Sequence, residues 1–259
     1  MTYVVTGGGS GIGQAISWKL AAEGEQVFIV GRRKEMLEET CVKFSSHITP
    51  IGADLSTEAG RKKVANFLQS KGIAIKGLVH AAATVQPVLS LDKVSLDAWR
   101  MIQAINVEAP LFLTQQLLPL LKGGKVLVIS SQIAHVAVSC LGAYCVSKAA
   151  LSMLYQCFNL DFQAWDIHAS SVTPGIVNTH MFAEVAMSND IPEISRQFYQ
   201  GVMHKNSLIK PEVVACFIHW LLCSVDRESF SSKEWDIYDT NHHEHWVKGF
   251  NPPESLGFA

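Results

Sequence analysis

A glycine-rich loop near the start of the chain limits the possible folds more than any other feature of the sequence. Residues 3–6 (YVVT) are typical of a short buried strand, and residues 14–23 have the apolar spacing of a helix. The loop between them, residues 6–13, reads T-G-G-G-S-G-I-G. Glycines at a strand–loop–helix junction let the backbone approach a pyrophosphate, which binds at the helix N-terminus. The loop therefore predicts a dinucleotide-binding βαβ unit that begins near residue 1.

Strand-like and helical segments alternate along the rest of the chain. Further strands are expected at residues 26–31, 47–53, 76–82, 125–130, 167–173 and 234–238. Strands that alternate with helices of about ten or more residues form a parallel sheet that is covered on both faces. We therefore predict an α/β fold with a doubly wound parallel sheet of about seven strands, in one domain over residues 1–259. Residues 178–207, with mixed character and three methionines, are expected to form a mobile lid over the substrate.

The composition argues against several classes of protein. The 259 residues are 48% hydrophobic and 17% charged, so the chain can bury a large core and disorder is not expected. A net charge of -2 argues against a nucleic-acid-binding surface. The six cysteines form no CxxC pair, which indicates a reduced interior with neither a disulfide framework nor a metal site.

No targeting or membrane segment is expected. Met1 leads almost directly into the first strand, which argues against a signal peptide. The uncharged run of residues 126–147 is long enough to raise the question of a membrane span, but it contains four serines, Gln132, His135 and Gly142. A buried strand followed by a site loop is the better interpretation, and we expect a soluble, cytoplasmic protein.

Residues 131–148 contain three side chains that suit proton transfer. They follow the strand at 125–130 and enter a helical pattern, in which Tyr144 and Lys148 are four residues apart and project from one face. The pKa of a phenol lies near ~10, and a neighbouring ammonium group lowers it by favouring the phenolate. Ser131, at the end of the strand, adds a hydroxyl. A phenol, a cation and a hydroxyl together can protonate and polarise a carbonyl oxygen.

These motifs resemble those of the classical short-chain dehydrogenases/reductases. The glycine motif of that family is T-G-x-x-x-G-x-G, and its active site contains a serine followed by Y-x-x-x-K. Ser131 precedes Tyr144 by thirteen residues, which is the usual interval in the family. The resemblance covers the whole chain and implies a Rossmann fold and an NAD(P)-dependent oxidoreductase that acts on CH–OH and C=O groups. Three further matches are Asp54-Leu55 beside the adenine, Asn106 in the long central helix, and Pro174-Gly175 with Thr179 at the nicotinamide.

The resemblance also implies a role for each residue of the site. Tyr144 would donate a proton to the substrate carbonyl, and Lys148 would lower the pKa of Tyr144 and bind the nicotinamide ribose. Ser131 would hydrogen-bond the carbonyl, and Asn106 would support a water-linked proton path to Lys148. The residues expected to bind the cofactor are Gly7, Ser10, Gly11, Ile12, Gly13, Arg32, Arg33, Asp54, Leu55, Ala81, Ala82, Tyr144, Lys148, Pro174, Gly175, Ile176, Val177 and Thr179.

One motif departs from the family pattern. The N-N-A-G sequence that follows the fourth strand in relatives is His80-Ala81-Ala82-Ala83 in this chain. Ala83 adds a methyl group where the backbone normally passes the nicotinamide ribose, and His80 replaces an amide that braces the sheet. We expect His80 to be a hydrogen-bonded core histidine and not a catalytic residue.

The end of the second strand indicates which cofactor is preferred. An acidic residue there would bind the adenosine 2′-hydroxyl and repel a 2′-phosphate, but Gly31 occupies this position. Arg32 and Arg33 follow, and arginine binds phosphate through several donors. We therefore expect NADP(H) to be preferred over NAD(H), although Ser10 stands where some NADP-dependent relatives have a basic residue.

Within the family, the chain is most similar to sepiapterin reductases and benzil (diketone) reductases. The similarity lies in residues 143–156, in residues 173–181 and in the ending EWDIYD. The resemblance implies that Asp236 binds the guanidine-like edge of a pterin, although an aspartate that caps the final strand is the alternative. The residues expected to contact the substrate are Ser131, Gln132, Cys140, Tyr144, Met181 and Asp236.

The preferred function is thus an NADPH-dependent carbonyl reductase that acts on a ketone or a vicinal diketone. The alternatives are an NAD-dependent secondary-alcohol dehydrogenase and, from another class, a non-catalytic NADP(H)-sensing module. A homodimer or homotetramer is expected by analogy with the family, through the helical regions at 95–121 and 143–165. The histidines at 242, 243 and 245 do not have the spacing of a zinc motif and are expected to lie in a solvated tail.

Overall fold

Seven parallel strands form one sheet in the computed structural model, which describes residues 1–204 and 208–247. The strands are β1 (Thr2–Thr6), β2 (Gln26–Gly31), β3 (Ile48–Gly52), β4 (Gly77–His80), β5 (Lys125–Ile129), β6 (His168–Thr173) and β7 (Glu234–Asp236). Their order in the sheet is β3-β2-β1-β4-β5-β6-β7. The prediction of an α/β fold with a doubly wound parallel sheet is confirmed.

Helices cover both faces of this sheet. They are α1 (Gly11–Ala22), α2 (Lys34–Val42), α3 (Glu58–Ser70), α4 (Leu96–Gln103), α5 (Ala109–Leu121), α6 (Gly142–Asp161), α7 (His180–Ala186), α8 (Glu193–His204), α9 (Pro211–Cys223) and α10 (Arg227–Ser231). α1 and α9 contribute to one apolar core, and α3, α5 and α6 contribute to a second. The strands between the two cores are nearly continuous apolar runs because they are buried on both sides.

The strand order reverses between β1 and β4, which are neighbours in the sheet. Ligands of open α/β sheets bind at such a reversal, beyond the carboxyl ends of the strands. The glycine loop follows β1, and residues 81–83 follow β4. The topology therefore brings together two segments that the sequence predicts to bind the cofactor.

The helical region predicted at 95–121 consists of α4 and α5, joined by a π-helical turn over Ala104–Glu108. Pro110 has no N–H group, so the α-helical bond to the Asn106 carbonyl cannot form. The Ala109 N–H group instead bonds to the Ala104 oxygen, five residues back. The turn therefore has a local cause in the sequence, and it positions Asn106.

His80 is a hydrogen-bonded core histidine, as expected. Its side chain is 3% exposed, and its Nε2 atom lies 2.8 Å from the Thr114 hydroxyl oxygen of α5. Burial lowers the pKa of His80 to about 3, because the charged imidazolium would lose its hydration. His80 therefore links β4 to α5 as a neutral side chain.

The expectation that the histidines after β7 lie in a solvated tail is wrong for His242 and His243, whereas His245 is exposed. Residues 240–245 form a short 3-10 helix, in which His242 and His243 are buried. The His242 ring stacks on Phe217 of α9 with 4.9 Å between ring centroids. Trp246 donates a hydrogen bond to Nδ1 of His242 (2.9 Å), so the ring hydrogen is on Nε2. Nε2 donates a hydrogen bond to the Asp236 carbonyl oxygen (3.0 Å). His242 is buried because α9 offers its ring an aromatic surface, which the spacing of the histidines in the sequence does not reveal.

Neither a metal cluster nor a spanning helix is found in residues 1–204 and 208–247. No group of three or more His, Cys, Asp or Glu side chains in these ranges could hold a metal ion. None of the helices in them is long and apolar enough to cross a membrane. The six cysteines are free thiols.

Acidification is expected to destabilise the fold through His80. In the unfolded chain the pKa of this histidine is 6.5, whereas in the folded protein it is about 3. Between these values the unfolded state binds more protons, so this contribution to stability is present above pH 6.5 and is lost as the pH falls toward 3. From pH 7.5 to 5.5 the linkage lowers the free energy of unfolding by about 1.4 kcal/mol.

Urea unfolding of the wild type and of His80→Asn at pH 7.5 and 5.5 measures this contribution. The variant has no titrating group at this position, so the wild type should lose about 1.4 kcal/mol more than the variant over the interval. Equal losses in the two proteins would show that His80 is not held as a neutral side chain.

Candidate active site

The glycine loop packs directly against the loop that follows β4. A Cβ atom at Gly7, whose φ is +70°, would lie 2.8 Å from the Ala82 nitrogen. A Cβ atom at Gly13 would lie 2.4 Å from the Gly7 oxygen. Backbone atoms already occupy the space that either side chain would need, so both positions require glycine.

The N-terminus of α1 opens onto a groove that suits a dinucleotide. Ser10, the N-cap residue, makes no side-chain capping hydrogen bond within the described residues, so the first N–H groups of α1 remain available to an anion. The groove has a volume of about 450 Å³. The predicted cofactor residues that line it are Gly7, Ser10, Gly11, Ile12, Gly13, Arg32, Arg33, Asp54, Leu55, Ala81, Ala82 and Thr179. The free N–H groups at the start of α1 and the guanidinium groups of Arg32 and Arg33 can bind the phosphates of NADP(H).

Thr6 connects the two loops at this edge of the sheet. Its hydroxyl oxygen accepts hydrogen bonds from the Ala81 and Ala82 N–H groups, each at 3.1 Å. Ala83 lines both the groove and the cavity next to it, so the departure from the N-N-A-G motif lies at the site itself. The backbone of the altered loop is thus held by the threonine at the end of β1.

Three charged residues of the groove lie at the carboxyl ends of β2 and β3, and a fourth, Glu212, lies in the first turn of α9. Arg33 donates a hydrogen bond from Nη2 to the Ser10 hydroxyl oxygen (3.3 Å), so its guanidinium group lies beside the glycine loop. Arg32 lines the same part of the groove and is exposed. After β3, the Asp54 carboxylate accepts hydrogen bonds from the Ser56 N–H group (3.0 Å) and hydroxyl (2.7 Å). The groove therefore presents cations where an NAD-specific site would have a carboxylate.

Ser131, Tyr144 and Lys148 line a second cavity, of about 180 Å³, which adjoins the groove. The remaining predicted cofactor residues, Pro174, Gly175, Ile176 and Val177, line this cavity. Tyr144 and Lys148 lie one turn apart on α6, and Ser131 follows β5. The Ser131 oxygen accepts a hydrogen bond from the Ile133 N–H group (3.4 Å), so its hydroxyl hydrogen can be donated to a ligand.

Burial dominates the acid–base properties of the cavity. It raises the pKa of Tyr144 well above the ordinary value of a phenol, and it lowers the pKa of Lys148 to about 8. The Lys148 ammonium lies 5.5 Å from the centre of the Tyr144 ring and donates a hydrogen bond to the Ile129 carbonyl (2.6 Å). The expected lowering of the Tyr144 pKa by Lys148 is not observed, because desolvation of the phenolate has the largest effect and raises the pKa. The phenol is therefore protonated at neutral pH.

Asn106 braces the loop after β4 and does not line the cavity. Its side-chain oxygen accepts a hydrogen bond from the Thr84 N–H group, and its Nδ2 atom donates to the Thr84 carbonyl, both at 2.9 Å. Nδ2 also donates to the hydroxyl of Ser147, the residue before Lys148 (2.9 Å). Asn106 thus connects the π-helical turn to α6, and its water-linked path to Lys148 stays a prediction.

Of the predicted substrate residues, Cys140 and Asp236 do not line the cavity. Gln132 and Met181 do line it, and the Met181 sulfur is 3.8 Å from the Tyr144 hydroxyl oxygen. The Cys140 thiol instead donates to the Asp190 carbonyl (3.3 Å), outside the cavity lining. The Asp236 carboxylate accepts a hydrogen bond from the Tyr238 N–H group (2.9 Å) and caps the end of β7. Local hydrogen bonds thus hold both side chains outside the cavity lining, and their contact with a substrate stays a prediction.

The cavity also contains residues that were not predicted from the sequence. Val85, Ile133, Leu141, Val185 and Tyr199 complete most of its apolar lining. They come from five separate segments, and no motif connects them. Val185 and Tyr199 lie in the segment 178–207, which the sequence predicts to be a lid. Residues 205–207 of that segment lie outside the described ranges.

The chain matches a known family over most of its length. The family model described as short chain dehydrogenase matches residues 1–190. Dehydrogenase/reductase SDR family member 2, mitochondrial, from Homo sapiens is 33% identical over 193 residues, which cover 72% of this chain and 68% of that protein. The protein therefore belongs to the short-chain dehydrogenase family. It is an oxidoreductase of the class that uses NAD(P)(H) and acts on small molecules.

The chain is also similar to a bacterial reductase and to a solved yeast structure. Benzil reductase ((S)-benzoin forming) from Bacillus cereus is 27% identical over 236 residues, which cover 86% of this chain and 94% of that protein. The crystal structure of a short-chain dehydrogenase/reductase from Saccharomyces cerevisiae superposes with a TM-score of 0.88 at 23% identity. The superposition covers 95% of this chain and 99% of the yeast chain. The second similarity shows the fold.

Removal of the Thr6 hydroxyl is expected to destabilise the protein and weaken cofactor binding. Thr6→Val keeps the shape of the side chain but leaves two amides of the adjoining loop without a partner. The cost should be about 2 kcal/mol in the free energy of unfolding. Urea unfolding and NAD(P)H titration measure the two effects. Thr6→Ser keeps the hydroxyl and should therefore retain most of the stability and most of the cofactor affinity. A Thr6→Val protein as stable as the wild type would contradict this role.

Proposed function

We propose that this protein is an NADPH-dependent carbonyl reductase that acts on a ketone or a vicinal diketone. The observation that carries the proposal is the position of Ser131, Tyr144 and Lys148 in one small cavity next to the predicted cofactor groove. The cofactor supplies the hydride when bound. The chain itself must bind the carbonyl oxygen and deliver a proton to it.

Each residue of the cavity has one task in this proposal. Ser131 donates its free hydroxyl hydrogen to the carbonyl oxygen and orients the substrate. Tyr144 donates the proton that the alcohol product retains on that oxygen. Lys148 binds the cofactor ribose, and Asn106 supports the water-linked path that returns a proton to the site. The apolar surroundings strengthen the hydrogen bonds to an oxygen on which negative charge develops.

The protonated state of Tyr144 supports reduction as the direction of reaction. A reductase needs a proton donor, whereas oxidation of an alcohol needs a base to remove the hydroxyl proton. Burial raises the pKa of Tyr144, so the resting phenol is a donor. An NAD-dependent alcohol dehydrogenase would require a phenolate at working pH and is the less favoured alternative.

The lining of the cavity favours a neutral, largely apolar substrate. Lys148 is the one charged side chain among the described lining residues, and its ammonium group is bonded to a backbone carbonyl. The relative from Bacillus cereus is named as a benzil reductase, which supports an aromatic vicinal diketone. A pterin is less well supported, because Asp236 does not line the cavity.

Arg32 and Arg33 support NADPH as the preferred cofactor. Both line the groove at the end of β2, where Gly31 leaves no acidic side chain to oppose a 2′-phosphate. Two guanidinium groups can bind this phosphate through several charge-assisted hydrogen bonds. NADH lacks the phosphate and would gain nothing from them.

We further propose a homodimer or homotetramer in the cytoplasm. Apolar side chains of three helices are exposed, and a partner chain could bury them. They include Leu96 and Met101 of α4, Phe112 of α5, and Val146, Met153 and Leu160 of α6. The location is supported by the free cysteines, which suit a reducing compartment.

Tyr144→Phe is expected to reduce benzil reduction by at least about 100-fold in kcat, because the variant has no proton to donate. The measurement is NADPH oxidation by the purified protein with benzil as substrate. Tyr155→Phe is the matched control, since Tyr155 is also a buried tyrosine of α6 but packs in the core. Near-normal turnover by Tyr144→Phe would contradict the mechanism. Tight NADPH binding with no turnover of any carbonyl compound would instead favour a sensing module.

The double variant Arg32→Ala/Arg33→Ala is expected to raise the KM for NADPH by about tenfold or more. The KM for NADH should change little, because NADH has no 2′-phosphate. Lys34→Ala is the control, since Lys34 follows directly in the chain but pairs with Glu38 (3.4 Å) outside the groove lining. Equal effects on both cofactors would contradict a phosphate site at these arginines.

A further inference from the structure

One side of the catalytic cavity is formed by α7 and α8. Met181, Phe182 and Val185 of α7 and Tyr199 of α8 line it. These four side chains belong to the same apolar cluster as Tyr144. The substrate would therefore lie between the catalytic phenol of α6 and a second phenol from α8.

Two aromatic neighbours fix the ring of Tyr199. Phe182 meets it edge to face with 5.9 Å between centroids, and Phe198 does so with 5.4 Å. Tyr199 as a whole is 7% exposed. Packing on two sides leaves its hydroxyl with little freedom, so the donor is oriented before a ligand binds.

The hydroxyl of Tyr199 has no hydrogen-bond partner among the described residues. The hydroxyl oxygen is not among the fully buried, unpaired side-chain atoms of the described residues, so water can reach it when the cavity holds no ligand. An acceptor on a ligand in the cavity would pair the hydroxyl. Burial raises the pKa of Tyr199, so the group is a neutral donor.

We propose that Tyr199 binds the substrate by donating a hydrogen bond to a second oxygen, on the carbon next to the carbonyl that is reduced. The inference rests on the proposed function, because there Ser131 and Tyr144 hold the reacting oxygen. The substrate class is then a vicinal dicarbonyl compound with apolar substituents. Tyr199 takes part in no bond-breaking step and acts on substrate choice.

Gln132 is the competing candidate for the second oxygen. It also lines the cavity, in the short 3-10 helix that follows Ser131. An amide next to the catalytic serine would lie on the β5 side of the substrate, whereas Tyr199 lies on the α8 side. Substitution of each residue separates the two possibilities.

The test compares kcat/KM for benzil and for deoxybenzoin, in which a methylene group replaces one carbonyl. Tyr199→Phe removes only the hydroxyl, Gln132→Leu removes the amide, and Tyr155→Phe is the control outside the cavity. Tyr199→Phe should lower kcat/KM for benzil about tenfold, since a hydrogen bond of about 1.4 kcal/mol corresponds to a factor of ten. Tyr199→Phe should leave kcat/KM for deoxybenzoin unchanged, because this ketone has no second oxygen to accept the hydrogen bond. Because each variant is compared with the wild type, the greater intrinsic reactivity of a diketone cancels.

A second measurement does not depend on any variant. In the presence of NADP⁺, the wild-type protein should bind benzil about tenfold more tightly than deoxybenzoin, for the same reason. NADPH binding by Tyr199→Phe verifies that the variant is folded.

Three outcomes would overturn the inference while leaving the proposed function intact. They are an equal loss of activity toward both ketones in Tyr199→Phe, no loss toward benzil, and a loss of the benzil preference in Gln132→Leu alone. If the wild type bound NADPH but reduced no ketone or diketone at all, the proposed function would fail and the inference with it.

Discussion

Direct contact between backbone atoms beyond the carboxyl ends of β1 and β4 determines the form of the site. Gly7 lies so close to Ala81 and Ala82 that no side chain fits between them, and Thr6 satisfies the amides of the same two residues. This contact sets the shape of the groove, because Ala81 and Ala82 line it. It also sets one edge of the adjoining cavity, which Ala81 lines as well. The altered motif after β4 keeps this arrangement, since the contacts involve its backbone.

Burial of the site then determines its proton chemistry. Removal from water raises the pKa of Tyr144 and lowers that of Lys148, so desolvation brings both groups toward their neutral forms. The phenol remains a donor, and the amine is held by the Ile129 carbonyl. In the same apolar lining, Tyr199 presents a hydroxyl that has no hydrogen-bond partner among the described residues. The walls of the cavity therefore influence both the reaction and the choice of substrate.

The residues after β7 support the cavity from outside. His242 and His243 donate hydrogen bonds to the Asp236 and Ile237 carbonyls, and the His242 ring stacks on Phe217 and Trp220 of α9. The adjacent Tyr238 hydroxyl accepts a hydrogen bond from the Ile176 N–H group at 3.4 Å. A Cβ atom at Gly175, where φ is +73°, would lie 2.8 Å from that hydroxyl oxygen. The buried histidines and Asp236 thus act through β7 on a loop that lines the cavity.

The sequence by itself determined the sheet, the glycine loop and the Ser131, Tyr144 and Lys148 set. Strand and helix periodicity and the spacing of these motifs are local properties of the chain, and parallel topology brings their ends to one edge. Only the tertiary structure decided the burial of His242, the position of Asp236 outside the cavity and the place of Tyr199 inside it. It also reversed the expected direction of the Tyr144 pKa. These features depend on packing between segments far apart in the chain, and desolvation and unpaired donors arise only from such packing.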